Sequence, residues 1–143
     1  MDKRLVCIDP HDDSDTDLLF AFLNSTVGVF LKELHGTVRA NGGLGTTVTT
    51  MKELPVLDPS QFTTEQRRAL RAAAEQLKSE SIRSIYTELG TEDPANVSID
   101  AIHSTRRAID TVIMSDVLGL SRQTQLQLYR DVCRLVTNRV ECP

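Results

Sequence analysis

The sequence contains no tryptophan, and aromatic residues of all kinds make up only 4% of its 143 residues. Leucine, isoleucine, valine and alanine must therefore form most of any core. The length is sufficient for one domain with a core, or for a small lobe followed by a helical tail, and it does not favour two full domains.

Cysteine pairs and long apolar runs are also missing. Cys7, Cys133 and Cys142 are odd in number and widely separated, which excludes a disulfide framework or a Cys-x-x-Cys zinc site and indicates reduced thiols. Apolar stretches such as Leu18 to Leu23 are too short for a bilayer span, and the amino terminus shows no signal-peptide pattern. We expect a cytoplasmic chain with no membrane partner.

A surplus of positive charge is absent as well. The formal net charge is −4, which argues against a free-standing, non-specific DNA binder, because such binding depends on cationic contacts to phosphates. Among the segments 1–60, 61–89 and 90–143, only 61–89 carries a basic surplus, with five basic and four acidic side chains.

Catalytic and cofactor motifs are missing too. His11, His35 and His103 are isolated from Cys or acidic partners at ligand-like spacing, and no Gly-x-Ser-x-Gly elbow occurs. The Gly42-Gly43-Leu44-Gly45 stretch matches neither a P-loop nor a dinucleotide-binding motif. The sequence predicts no enzyme active site, no metal site and no cofactor in this chain.

An aspartate-rich segment opens the first helical pattern. The alternation of Asp13, Asp15 and Asp17 imitates the start of a calcium loop, but Leu18 replaces the glycine expected at its sixth position and Asn24 the glutamate at its twelfth. Carboxylates also favour the amino terminus of a helix. We interpret the segment as the cap of a helix that begins near Asp15.

The first half of the chain combines strand and helix patterns. Arg4 to Ile8 is a short β-prone run, and Leu18 to Leu34 has helical spacing that Asn24-Ser25-Thr26 divides into two abutting helices. The β-branched run Thr46 to Thr50 predicts a strand after the glycine-rich loop, and Pro55 indicates an extended edge segment.

The second half has a helical pattern. Thr63 and Gln66 form a capping-box pair, and the helix they start is interrupted near Ser79-Glu80-Ser81. The other expected boundaries are Gly90, Ser98, Leu118-Gly119 and Ser121. The fold class predicted from both halves is α+β, with short strands and two helices in residues 1–59 and a bundle of three to four helices in residues 60–143.

The glycine-rich loop and the run after it hold candidate DNA-binding residues. Arginine and asparagine are suited to base edges and phosphates, and glycine lets backbone amides approach a ligand closely. A mobile loop that leads into a solvated strand is the alternative interpretation. The candidates are Arg39, Asn41, Gly42, Gly43, Thr46, Thr47, Thr49 and Lys52.

A second, weaker group of candidates lies on the polar side of the helix after Thr63. Arg67, Arg68 and Arg71 could rest on a phosphate backbone. The alternative is a salt-bridged surface, because Glu65 and Glu75 lie within reach on the same helix.

Several short sequence segments occur in a characteristic order. They are Leu5 to Pro10 with an acidic linker, Leu18 to Thr26, a glycine-rich loop, and Lys52 to Pro59. Together they resemble the closing section of target-recognition domains in adenine-specific DNA methyltransferases of restriction-modification systems. Similar phrases close the half-domains of type I specificity subunits, where a helix similar to Thr63 to Leu77 follows.

The carboxy-terminal part resembles the same family. Arg107 to Asp110, Val117 to Leu120 and Leu128 to Val136 are similar to the ending of such methyltransferases. The family's cofactor-binding glycine motif and its catalytic Asn-Pro-Pro-aromatic motif do not occur here, so the resemblance carries over no catalytic residue.

The resemblance implies a carboxy-terminal specificity fragment without its own activity. Its partners would be double-stranded DNA and a methyltransferase catalytic domain or subunit, which would bind S-adenosylmethionine and flip the target adenine out of the duplex. The alternative is a helical protein-interaction module that docks or self-associates and does not bind DNA alone.

Overall fold

A computed structural model describes residues 8–141 of the chain. These residues are mostly helical. In chain order the helices are α1 (Thr16–Asn24), α2 (Thr26–His35), α3 (Val48–Glu53), α4 (Thr64–Ser79), α5 (Ile85–Leu89), α6 (Ser104–Asp110) and α7 (Arg122–Glu141), with a π-helical continuation of α6 over Thr111–Val117. The strands are β1 (Thr37–Val38) and β2 (Leu44–Gly45), and short 3-10 turns cover Asp13–Asp15, Pro59–Gln61, Pro94–Asn96 and Ile99–Ala101.

The predicted α+β class is therefore wrong. Within residues 8–141 the sheet is a single antiparallel pair of two-residue strands, β1 and β2. The predicted strand Thr46 to Thr50 does not form, and its last three residues are the first turn of α3. The Thr47 hydroxyl accepts a hydrogen bond from the Thr50 amide at 3.1 Å and caps this helix. A local cap has overridden the β propensity of the threonines.

Two other predicted strand regions do not add to the sheet. Residues 4–7 of the run Arg4 to Ile8 lie outside the described residues, and Ile8 belongs to no helix or strand. The segment around Pro55 is extended but is paired with no strand in the described part of the chain.

The division between α1 and α2 is confirmed. Ser25 separates the two helices, which are bent by 69° relative to each other. Its hydroxyl donates to the Phe22 carbonyl at 2.6 Å and accepts from the Gly28 amide at 3.1 Å. One serine thus ends one helix and starts the next.

The helix boundaries of the second half follow the capping residues closely. Thr63 and Gln66 form the predicted capping box, with hydrogen bonds of 3.2 and 2.8 Å. Ser121 starts α7 by accepting a hydrogen bond from the Thr124 amide. Ser98 begins only a 3-10 turn, however, and α6 starts at Ser104, with His103 as its cap.

The core joins the two halves of the chain. Helix α1 packs on α4, α2 packs on α7, and α4 packs on α6. The main cluster of buried side chains crosses Pro59 and consists of Leu18, Ala21, Phe22, Phe62, Leu70, Ala73, Ala74, Ile109, Val112 and Ile113. A second cluster around Tyr129 and Cys133 joins α7 to α5 and to the turns before α6.

No single helix within residues 8–141 has the length and apolar character to cross a bilayer. The bent pair Asp13–Asn24 and Thr26–His35 has sufficient length and apolar composition only when its two helices are taken together.

Candidate nucleic-acid interface

The first group of candidate residues lies in one continuous segment, Thr37 to Glu53, which we name the arm. It consists of the β1–β2 hairpin and α3. The hairpin turn is closed by hydrogen bonds from the Arg39 amide to the Gly43 carbonyl at 2.8 Å and from the Gly42 amide to the Arg39 carbonyl at 2.9 Å. Gly42 has a φ of 72°, a left-handed conformation that a glycine adopts without strain.

A partly buried arginine fixes the arm to the helical body. Arg139 of α7 forms two hydrogen bonds of 2.9 Å to the carboxylate of Glu33 in α2, and a third to the Gly42 carbonyl. The Arg139 and Glu33 side chains are only 16% and 7% exposed. Because Arg139 and Gly42 are distant in sequence, spacing along the chain offered no signal for this contact.

Most arm candidates are accessible. The exposed ones are Arg39, Asn41, Thr47, Thr49 and Lys52, whereas Gly43 and Thr46 are half-buried and Gly42 is buried. Two of these candidates also stabilise the local backbone. Asn41 accepts a hydrogen bond from the Gly43 amide, and Thr47 caps α3.

The cations of the arm have no acidic partner among residues 8–141. Neither Arg39 nor Lys52 forms a salt bridge with a carboxylate of the described residues. The arm itself carries two basic residues against one acidic residue, Glu53. It is therefore a locally cationic projection on a chain whose net charge is negative.

The arginines of α4 lie in a different setting. Arg67 forms a salt bridge with Asp15 at 2.8 Å and donates to the Pro59 carbonyl at 2.6 Å, and Arg71 donates to the Ser14 carbonyl at 2.7 Å. Arg68 is exposed and forms no salt bridge with a described carboxylate. The salt-bridged alternative thus holds for Arg67, although its partner is Asp15 and not a glutamate of its own helix.

The aspartate-rich segment caps the 3-10 turn Asp13–Asp15 and forms salt bridges with cations of α4. Asp12 accepts a hydrogen bond from the Ser14 amide at 2.8 Å, and this bond is the main reason that its pKa lies below the usual range. Asp17 forms a salt bridge with Lys78 at 2.6 Å. Within residues 8–141 no group of three or more His, Cys, Asp or Glu side chains is arranged to hold a metal ion.

A buried polar network that the sequence patterns do not indicate joins the start of α2 to α6 and α7. Its centre is Asp110 of α6, which is fully buried. The carboxylate accepts hydrogen bonds from the Thr26 amide at 2.8 Å, the Thr26 hydroxyl at 2.7 Å and the Tyr129 hydroxyl at 2.8 Å. It thereby connects α2, α6 and α7 through one side chain.

Two arginines complete this network. Arg106 donates to the Thr26 hydroxyl at 3.1 Å and forms a buried salt bridge with Glu88 of α5. Arg107 donates to the Gln125 side chain at 2.9 Å and to the Tyr129 hydroxyl at 3.3 Å. All of these polar groups are engaged with one another, which suits the positioning of helices and leaves no free base or nucleophile.

The pKa directions in the network follow from burial. Burial raises the pKa of Asp110, while the charge of Arg106 and the hydrogen bonds from Thr26 and Tyr129 oppose this rise. Burial also raises the pKa of Tyr129, and the neighbouring Asp110 charge adds to it. For Lys32 of α2, burial and then the charge of Arg106 lower the pKa.

A cleft of about 510 Å³ opens beside the network, between α1, α4 and the segment before α5. Arg106 and Glu88 line it together with Phe20, Leu77 and Ile82. Since Arg106 and Glu88 are already paired with each other, the cleft offers no unengaged buried charge.

No family model, curated protein sequence or solved structure matches this chain.

Proposed function

We propose that this chain is a DNA-recognition and docking part of a restriction-modification adenine methyltransferase, and that the arm contacts DNA. The observation that carries the proposal is the contrast between the arm cations and two arginines of α4. Arg39 and Lys52 have no carboxylate partner among the described residues. Arg67 forms a salt bridge and Arg71 binds a backbone carbonyl, so of the three α4 candidates only Arg68 is as accessible as the arm cations. An unpaired surface cation is available to a phosphate, and a paired one must first lose its partner.

The chemistry of the arm supports the same proposal. Arg39 and Asn41 lie at an exposed hairpin turn, and these residue types make the favoured contacts to guanine and adenine edges in the major groove. Lys52 and the hydroxyl of Thr49 on α3 suit phosphate contacts, which set the position of a protein on a duplex. Arg139 would hold the turn in place during such contacts.

The net charge limits the affinity that this proposal allows. With a formal charge of −4, the chain lacks the long-range attraction of a basic DNA-binding domain. Binding by the chain alone should therefore be weak and measurable mainly at low salt. In the proposed assembly a partner catalytic domain in the cytoplasm supplies further DNA contacts and binds S-adenosylmethionine.

A titration of labelled mixed-sequence duplex DNA at low and physiological salt tests the proposal. The variant Arg39→Ala, Lys52→Ala removes the two arm cations, and Lys78→Ala, Arg134→Ala removes two cations that already have acidic partners. We expect the arm variant to bind roughly tenfold or more weakly than wild type. Equal losses in the two variants, or no binding by wild type at low salt, would refute the proposal.

A docking role has its own supporting observation. Leu34, Val38, Val48 and Val56 are between 50% and 56% exposed, and they lie in or next to the arm. Exposed apolar side chains mark an interaction site where they form one contiguous patch, which a protein partner or a second copy of the chain would cover. Sedimentation over a range of protein concentrations tests this alternative: self-association that Val38→Ser and Val48→Ser abolish supports it, and a monomer at every concentration rules out the second copy as the partner.

A further inference from the structure

A groove at the opposite end of α7 from Arg139 is lined by two arginines. It has a volume of about 460 Å³ and lies between residues 97–100, at the start of the 3-10 turn Ile99–Ala101, and the first turns of α7. Its lining residues are Val97, Ser98, Ile99, Asp100, Arg122, Gln123, Leu126 and Arg130. Two arginines and one aspartate give this lining a net positive charge.

Arg130 is the distinctive residue of the groove. Its Nε atom is buried and has no hydrogen-bond partner. The guanidinium also forms no salt bridge with a carboxylate of residues 8–141. A guanidinium that no carboxylate of the described residues neutralises favours an anionic ligand, which would meet its terminal nitrogens from the groove.

Two more donors lie where they could assist Arg130. Ser98 occupies the cap position of a 3-10 turn, but its hydroxyl makes no capping hydrogen bond and remains available. Arg122 lies on the same face of α7 as Arg130, two turns away, which is about 12 Å along the helix axis. Long arginine side chains can converge from that separation on a ligand lying over Leu126.

Arg122 is not firmly committed to its present partner. It forms a salt bridge with Asp100 at 2.8 Å, but the two side chains are 66% and 84% exposed. Salt bridges of this kind contribute little and are screened by salt. An anion with several oxygens, held also by Arg130, can therefore displace the Asp100 carboxylate from Arg122.

We infer that this groove binds a phosphate group, with Arg130 as the principal ligand and Arg122 and Ser98 as assisting donors. A phosphate has several acceptor oxygens, and the planar guanidinium fork is suited to bind two of them. The phosphate could belong to a DNA backbone or to a small phosphorylated molecule. Only the assignment to DNA rests on the proposed function.

An NMR titration tests the phosphate site directly. The Arg130 Nε–H resonance is followed while sodium phosphate is added, with sodium chloride at matched ionic strength as reference. We expect the Arg130 resonance to shift saturably with phosphate but not with chloride. In Arg122→Met and Ser98→Ala the apparent phosphate affinity should be several-fold weaker. The Arg134 Nε–H is the matched control, because that arginine lies one turn further along α7 and pairs with Asp131. Equal responses to the two salts, or an equal shift of Arg134, would overturn the inference.

Duplex DNA then identifies the source of the phosphate. If it is the backbone, Arg130→Met should weaken duplex binding roughly tenfold, while Arg134→Met should leave it unchanged. Unchanged duplex binding by Arg130→Met, together with a positive phosphate titration, assigns the groove to a small phosphorylated ligand. Loss of binding in Arg130→Met but not in the arm variant would support the groove and refute the arm, so the two proposals fail separately.

Discussion

Replacement of Asp110 by asparagine tests the role assigned to the buried network. The change keeps the shape of the side chain but removes its charge and turns one acceptor oxygen into an amide donor. In one orientation that amide would face the Thr26 backbone amide, which now donates to Oδ1. In the other it would face the Thr26 and Tyr129 hydroxyls, which both donate to Oδ2. The Thr26 hydroxyl already accepts a hydrogen bond from Arg106, which limits its reorientation.

The expected loss of stability follows from these contacts. A hydrogen bond to a charged group contributes about 1.5–3 kcal/mol, and a buried donor left without its acceptor costs about 1–3 kcal/mol. Some bonds will reform with reversed direction, so we expect Asp110→Asn to lower the free energy of unfolding by about 3 kcal/mol. A small domain has only about 5–15 kcal/mol in total, so the loss should be large.

Urea unfolding followed by far-ultraviolet circular dichroism measures this loss. Asp116→Asn is the matched control, because Asp116 is exposed on the π-helical continuation of α6. A double-mutant cycle with Thr26→Val separates the Thr26 contact from general effects of the substitution. A loss below about 1 kcal/mol would refute the reasoning, because it would mean that Asp110 is neutral when folded and that its three donors do not stabilise a charge.

Two further predictions concern a turn and a carboxylate. Gly90 has a φ of 76°, and a Cβ there would lie 3.0 Å from the Ala101 carbonyl oxygen, whereas Gly119 has a φ of 63° with open space around it. Gly90→Ala should therefore cost more than the roughly 1–2 kcal/mol of left-handed strain expected for Gly119→Ala, and equal urea midpoints would contradict the crowding. The pKa of Glu80 is lowered to about 2, chiefly by the Thr105 hydroxyl. The stabilisation that accompanies this shift is present above the unfolded pKa near 4.5 and is lost as the pH falls towards 2, so an NMR titration should show the Glu80 pKa rising in Thr105→Val.

Local patterns were sufficient to predict helix boundaries in this chain. Ser25, Thr63 and Ser121 each start a helix where the sequence places them, because a cap depends on one side chain and amides two or three residues away. The same principle explains the main error. Thr47 caps α3 just as Thr63 caps α4, but the β-branched run after it was interpreted by its strand propensity.

The contacts that position the candidate site were beyond the reach of sequence patterns. Asp110 binds Thr26 across 84 residues, and Arg139 binds Gly42 across 97 residues. Such pairs arise only from the packing of α2 against α6 and α7, and neither partner has a distinctive local pattern. The exposed residues of the arm could be selected as candidates from their residue types alone, because binding residues are often found on surface loops.

The most direct test of the central claim is a map of the surface that meets DNA. Backbone amide resonances of the isotope-labelled chain would be recorded while a short mixed-sequence duplex is added at low salt. The account predicts that the largest shifts fall within the arm, Thr37 to Glu53, with the amides of α4 around Arg67 unaffected. Shifts centred on α4, or no localised shifts at all, would contradict the claim that the arm is the DNA-contacting element.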